Sequence, residues 1–107
     1  MEELELKCFE IITNVGSARS YYVEAISYAK EGDFENADKS MADGGEAFKL
    51  GHHAHVSLIQ AEASGEEVKI SLILLHAEDQ LMSAEGFRIV ASEFIDLYKT
   101  LANEGKK

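Results

Sequence analysis

The 107-residue chain has no proline and a single cysteine, Cys8. Without proline, nothing forces a helix to break and no proline-rich linker is present. One cysteine cannot form an intrachain disulfide, which points to a reducing compartment. Cys8, between Lys7 and Phe9 in an apolar-periodic stretch, reads as a small buried hydrophobe rather than a reactive thiol. Long hydrophobic runs are also missing. The apolar stretch Ile70–Leu75 contains Ser71 and is far short of the roughly 20 residues a spanning helix needs. The acidic start MEELELK lacks the basic and apolar regions of a signal peptide, so a cytoplasmic protein without membrane insertion is expected. Positive charge is scarce: ten basic against twenty acidic residues give a formal charge of −10. That balance argues against nucleic acid or an anionic membrane as partner and suits a partner with a basic face.

What is present is a globular composition, 46% hydrophobic and 28% charged, which excludes a disordered chain. The length allows one core, so residues 1–107 are expected to form a single domain. Two punctuation points divide it into three long segments. At Glu31-Gly32-Asp33 the glycine suits a left-handed helix end and Asp33 suits the next N-cap. At Ala63-Ser64-Gly65-Glu66-Glu67, Gly65 ends a second helix and the two glutamates favour the N-terminal end of a third.

Helical periodicity fills the segments. Leu4, Cys8, Ile11, Ile12, Val15, Tyr22, Ile26 and Ala29 form one stripe, and Phe34, Ala37, Met41, Phe48, Val56 and Ile59 a less regular second. Val68, Leu72, Leu75, Met82, Ile89, Phe94, Leu97 and Leu101 form a third. Period-two alternation is missing, so strands are not expected. Short connections make neighbouring helices antiparallel, and the predicted fold is an all-α, up-down-up three-helix bundle. Gly44, Gly45 and Gly51, together with Gly16 and Gly86, are expected to mark a kink or a close helix approach rather than chemistry. Ile70, Leu74, Leu81, Phe87, Val90 and Ile95 lie off the third stripe, giving that segment more apolar surface than one thin bundle can cover. Self-association through the third helix is the simplest consequence.

Chemistry concentrates in the histidines. Three crowd into Gly51-His52-His53-Ala54-His55, with His52 and His55 on one helix face. The spacing suggests a metal, but no CxxC or HExxH pattern completes a zinc shell, and solvated histidines are the plainer reading. His76 follows the apolar stretch, with Asp79 at i+3, Gln80 at i+4 and Ser83 at i+7. Asp79 also aligns with Leu72, Leu75, Met82 and Gly86, inside an apolar stripe. A carboxylate buried there would have to be protonated, hydrogen-bonded or metal-bound. No glycine-rich phosphate loop is present.

The motif His76-Ala77-Glu78-Asp79-Gln80-Leu81-Met82 resembles the HAQDHLM signature of the lactose/cellobiose enzyme IIA components of the bacterial phosphoenolpyruvate-dependent sugar phosphotransferase system. The resemblance continues through Phe9-Glu10-Ile11-Ile12, Gly16-Ser17-Ala18-Arg19-Ser20, Glu31-Gly32-Asp33-Phe34 and Glu62-Ala63-Ser64-Gly65-Glu66-Glu67. It implies a homotrimer of three-helix subunits, a nine-helix bundle. It implies that His76 takes a phosphoryl group from the histidine phosphocarrier protein HPr and passes it to a cysteine of a cognate IIB component, making the chain a phosphotransferase. The sugar is phosphorylated later, during passage through the membrane component. Asp79 matches the family's aspartate at the threefold axis, where a divalent cation can sit, one per trimer. An oxygen-only site favours magnesium or calcium over zinc.

Because His76 is expected mid-helix, side-chain donors would have to steady the phosphoryl group: Gln80, Ser83, and His52 or His55 from the second helix. Three departures bear on this set. Gln80 stands where the signature has a second histidine, His55 where the family pattern AHxxQT has glutamine, and Glu78 where the signature has glutamine. If Gln80 and His55 face each other, the first two amount to an exchange of histidine and glutamine. Two other functions fit the same residues: a non-catalytic metal-binding or adaptor protein with His52, His55, His76 and Asp79 as ligands, and a regulatory relative that hands nothing on.

Overall fold

Three long helices account for most of the structure, a computed structural model that describes residues 2–105. Helix α1 spans Glu3–Lys30, α2 Phe34–Ala63 and α3 Leu72–Glu104, with no strand among the described residues. They form the expected up-down-up bundle, a rod of 61 × 22 × 19 Å. The expected domain extends over residues 1, 106 and 107, which lie outside the described residues.

The first boundary forms as its residues dictate. Gly32 takes φ = 80°, a left-handed conformation that glycine adopts without steric cost. The Asp33 carboxylate then accepts a hydrogen bond from the Asn36 backbone N–H at 3.2 Å, capping α2. At the second boundary Gly65, with φ = 99°, follows the end of α2. Here one expectation fails: Glu66 and Glu67 do not start α3. Residues 66–71 run without helix, and the cap is Ser71, whose hydroxyl accepts from the Leu74 N–H at 3.2 Å. The β-branched Val68 and Ile70 lose side-chain freedom in a helix, whereas Ser71 supplies the acceptor that a first turn requires.

The core is a seam at alternating spacings of three and four. In α1 it comprises Cys8, Ile11, Val15, Ala18, Tyr22, Ala25 and Ala29. In α2 it is Ala37, Ser40, Gly44, Ala47, Gly51 and Ala54, small residues throughout. This is the spacing of helices crossing at a shallow angle, and the small residues let α1 approach α2 closely. A Cβ at Gly44 would stand 2.5 Å from Tyr22 Cε1, and one at Gly51 2.6 Å from Val15 Cγ1. Close packing is therefore the reason for these two glycines. Within one chain it is not the reason for Gly16, Gly45 or Gly86, where an added Cβ meets nothing within 4 Å.

The third stripe is turned inside out relative to expectation. The residues that α3 buries are Ala77, Leu81, Ala84, Ala91 and Ile95. Leu81 and Ile95, expected off the main stripe, are 5% and 3% exposed, while Leu72 and Met82, expected on it, are 83% and 69% exposed. Leu75, Ile89, Leu97 and Leu101 are likewise exposed. Alanines allow α3 to nest against its neighbours, with Phe87 and Tyr98 half-buried at the edge of the core, and the aliphatic residues of the stripe are left facing outward.

Candidate functional site

Because α3 begins at Leu72, His76 is its fifth residue and lies in the second turn, not in mid-helix. Side chains of a helix tilt toward its N-terminus, which directs the imidazole toward the positive end of the helix dipole. His76 is exposed, and with Phe9 and Ile12 of α1 and Leu72 and Ile73 of α3 it lines an open recess of about 620 Å³. Every lining side chain except the imidazole is apolar.

The polar residues expected around His76 divide between the two sides of α3. Gln80, one turn further on, faces α1, where its Oε1 accepts a hydrogen bond from Arg19 Nη1 at 2.7 Å. Glu78 faces α2, where His55 Nε2 lies 2.7 Å from Oε1 and 2.9 Å from Oε2. Gln80 and His55 thus do not face each other within the chain, and the expected exchange of donors does not occur there. Instead His55 and Glu78, both at positions where the family patterns have glutamine, have become partners of each other.

His52 is also separated from His76. It stacks on Phe48, with ring centroids 6.1 Å apart and an interplanar angle of 15°, beside a groove that includes Glu85. Ser83 is exposed two turns beyond His76, about 10.5 Å along the helix, which removes it from direct contact. Of the expected phosphate donors within one chain, only Gln80 stays beside His76. Sequence reasoning missed Arg19. Its signal was spacing, since Phe9, Ile12, Gly16 and Arg19 follow one side of α1 at steps of three and four.

The alternative of four metal ligands on one chain is not supported. Among the described residues no group of three or more His, Cys, Asp or Glu side chains is placed to hold an ion. Asp79 is exposed rather than buried, because the stripe it shares with Leu75 and Met82 is the outward face. Cys8 is fully buried, and burial, followed by the nearby Glu78 and Glu5 charges, pushes its thiol pKa up. A thiol so held is a poor nucleophile.

The chain as a whole has relatives among known proteins. Residues 6–99 match the family described as the lactose/cellobiose-specific IIA subunit of the phosphotransferase system. The chain belongs to that family. It is 41% identical over 103 residues to the lichenan-specific phosphotransferase enzyme IIA component of Bacillus subtilis (strain 168), covering 96% of this chain and 94% of that protein. The crystal structure of the cellobiose-specific enzyme IIA from Bacillus anthracis superposes with a TM-score of 0.94 at 45% identity, covering 96% and 94% of the two chains. The solution structure of a chitobiose IIA in complex with HPr gives a TM-score of 0.84 at 34% identity, with 95% and 99% covered. As an enzyme IIA component, the chain is a phosphotransferase relay protein of sugar uptake. No helix among its described residues is long and apolar enough to cross a membrane.

Proposed function

We propose that His76 is the residue that carries the phosphoryl group, received from phospho-HPr and passed to a cysteine of the cognate IIB component in the cytoplasm. The observation that carries this reading is the exposed imidazole in a recess whose other walls are apolar. A neutral imidazole nitrogen is a competent nucleophile near neutral pH and needs no separate base to activate it. The apolar walls limit the water around the phosphohistidine, and the start of α3 favours its negative charge. Phosphoryl transfer is mainly a matter of positioning and electrostatics, which two docked protein surfaces can supply without a nucleotide loop.

The outward apolar face of α3 supports a homotrimer held by three α3 helices in a nine-helix bundle. Asp79 lies on that face beside exposed Leu75 and Met82. Among the described residues of one chain its carboxylate belongs to no group of three or more side chains placed to hold an ion; at a threefold axis three copies would converge. This donor set fits a magnesium or calcium ion, held by the three Asp79 carboxylates, whose contribution would be to offset their mutual repulsion.

Incubation with phosphoenolpyruvate, enzyme I and HPr tests the relay. The chain should acquire acid-labile, base-stable phosphate, His76→Ala should abolish labelling, and His53→Ala should leave it near normal. Continued labelling of His76→Ala would overturn the assignment. Adding the cognate IIB should discharge the label.

A further inference from the structure

Arg19 is one of ten basic residues in a chain with twenty acidic ones, yet its half-buried side chain is bonded to a neutral amide. None of the ion pairs among the described residues involves it, although Lys7, Lys39, Lys49 and Lys99 all have carboxylate partners. The acidic residue nearest to His76 in sequence on that stretch of α3, Glu78, is engaged by His55 on the other side of the helix. A guanidinium offers five N–H donors, and the single bond to Gln80 leaves the others for an anion.

Its placement follows from the helix geometry. Phe9 and Ile12 border the His76 recess, and Arg19 stands on the same side of α1, with Gly16 between. The Arg19 side chain reaches across to α3, where Nη1 donates to Gln80 Oε1. His76 and Gln80 are i, i+4 neighbours, about 5–6 Å apart at their Cβ atoms.

We propose that Arg19 binds the phosphoryl group carried by His76, with Gln80 holding its guanidinium in place. This rests on the reading of His76 as the phosphorylated residue. In the transfer, a lone pair on a His76 ring nitrogen forms the new N–P bond while the N–P bond of the donor phosphohistidine breaks. The bonding pair returns to the donor ring, which takes up a proton as the His76 ring releases one. The phosphoryl oxygens keep their charge throughout, and Arg19 meets that charge with directed N–H donors, which Lys cannot reproduce bidentately.

The test compares wild type, Arg19→Gln, Arg19→Lys, Gln80→Leu and Lys99→Gln, with phospho-HPr as donor. The loss of a preorganised donor of this kind predicts roughly a 100-fold slower phosphorylation for Arg19→Gln. Arg19→Lys should recover part of that rate, Gln80→Leu should fall between, and Lys99→Gln should match wild type. In the phosphorylated proteins, Arg19→Gln should also shift the phosphorus-31 resonance and change the hydrolysis half-life, neither of which a partner-docking role would move. Helicity and thermal midpoint establish that each variant is folded, and Arg19→Lys serves if Arg19→Gln is not. Wild-type rate in a folded Arg19→Gln protein overturns the proposal while leaving the relay intact. Slower transfer with unchanged resonance and half-life also overturns it, assigning Arg19 to partner docking. Failure of wild type to be labelled overturns the relay and the proposal together.

Discussion

The two faces of α3 differ in a direction that hydrophobicity alone does not indicate. The inward face is built largely of Ala77, Ala84 and Ala91, punctuated by Leu81 and Ile95, and the outward face carries Leu72, Leu75, Met82, Ile89, Leu97 and Leu101. Ile73, Leu74, Phe87 and Tyr98 flank the inward face, so the fully buried positions are mostly alanine while the large aliphatic residues of the stripe are outside. Small residues inside are what allow three helices to share a narrow seam, and α2 follows the same rule with glycine and alanine. Large residues outside provide the area by which a thin rod can associate with copies of itself.

The largest expected effect separates two adjacent positions. Leu81→Asp places an uncompensated charge in the seam and should cost about 4 kcal/mol or more, enough to abolish cooperative unfolding near room temperature. Met82→Asp should preserve helicity while lowering the mass in sedimentation equilibrium from three chains toward one. Equal behaviour of the two variants would erase the distinction between the faces.

A similar contrast exists between glycines in α2. Gly51→Ala sets a methyl against stiff Val15 and should destabilise by about 1–3 kcal/mol in thermal or urea unfolding. Gly45→Ala meets open space and should stabilise by about 1 kcal/mol through helix propensity. Loss of stability in both would show that the close α1–α2 approach is not confined to the seam.

On the outward face, Asp79→Leu should keep the proposed trimer and raise its thermal midpoint in chelator by about 5 °C, the scale of 1 kcal/mol in a domain of this size. Identical midpoints for this variant and wild type, with and without chelator, would take Asp79 off the axis. The smallest effect belongs to the inward face. The Tyr22 hydroxyl is buried with no hydrogen-bond partner among the described residues, so Tyr22→Phe should be neutral or stabilising by up to about 1 kcal/mol. A clear loss of stability would mean that the hydroxyl is satisfied after all.

How far these features were legible depends on the range of the interaction. Gly32 and Asp33 specify their boundary within a few residues, by a left-handed φ and a side-chain cap, and the α1 stripe shows in its bulky members. The start of α3 was harder, because the acidic pair Glu66-Glu67 is a favourable first turn in isolation and the chain instead reaches Ser71 before it turns. The small seam residues of α2 carry little hydrophobic signal, so the stripe seen there was drawn through larger flanking residues such as Met41, Phe48 and Val56.

The sequence by itself determined three helices, the first of their two junctions and the end of α2, and it marked His76 as the candidate around which the proposed chemistry is built. Those rest on local steric and hydrogen-bonding preferences and on a motif contiguous in the chain. Which face of α3 turns inward, and which side chains meet around His76, only the tertiary structure decided. The pairs Arg19–Gln80 and His55–Glu78 are 61 and 23 residues apart in sequence, and their meeting depends on the relative rotation and depth of packed helices. That rotation is set by side-chain volume across the whole seam, where glycine and alanine admit a close neighbour that leucine would hold away.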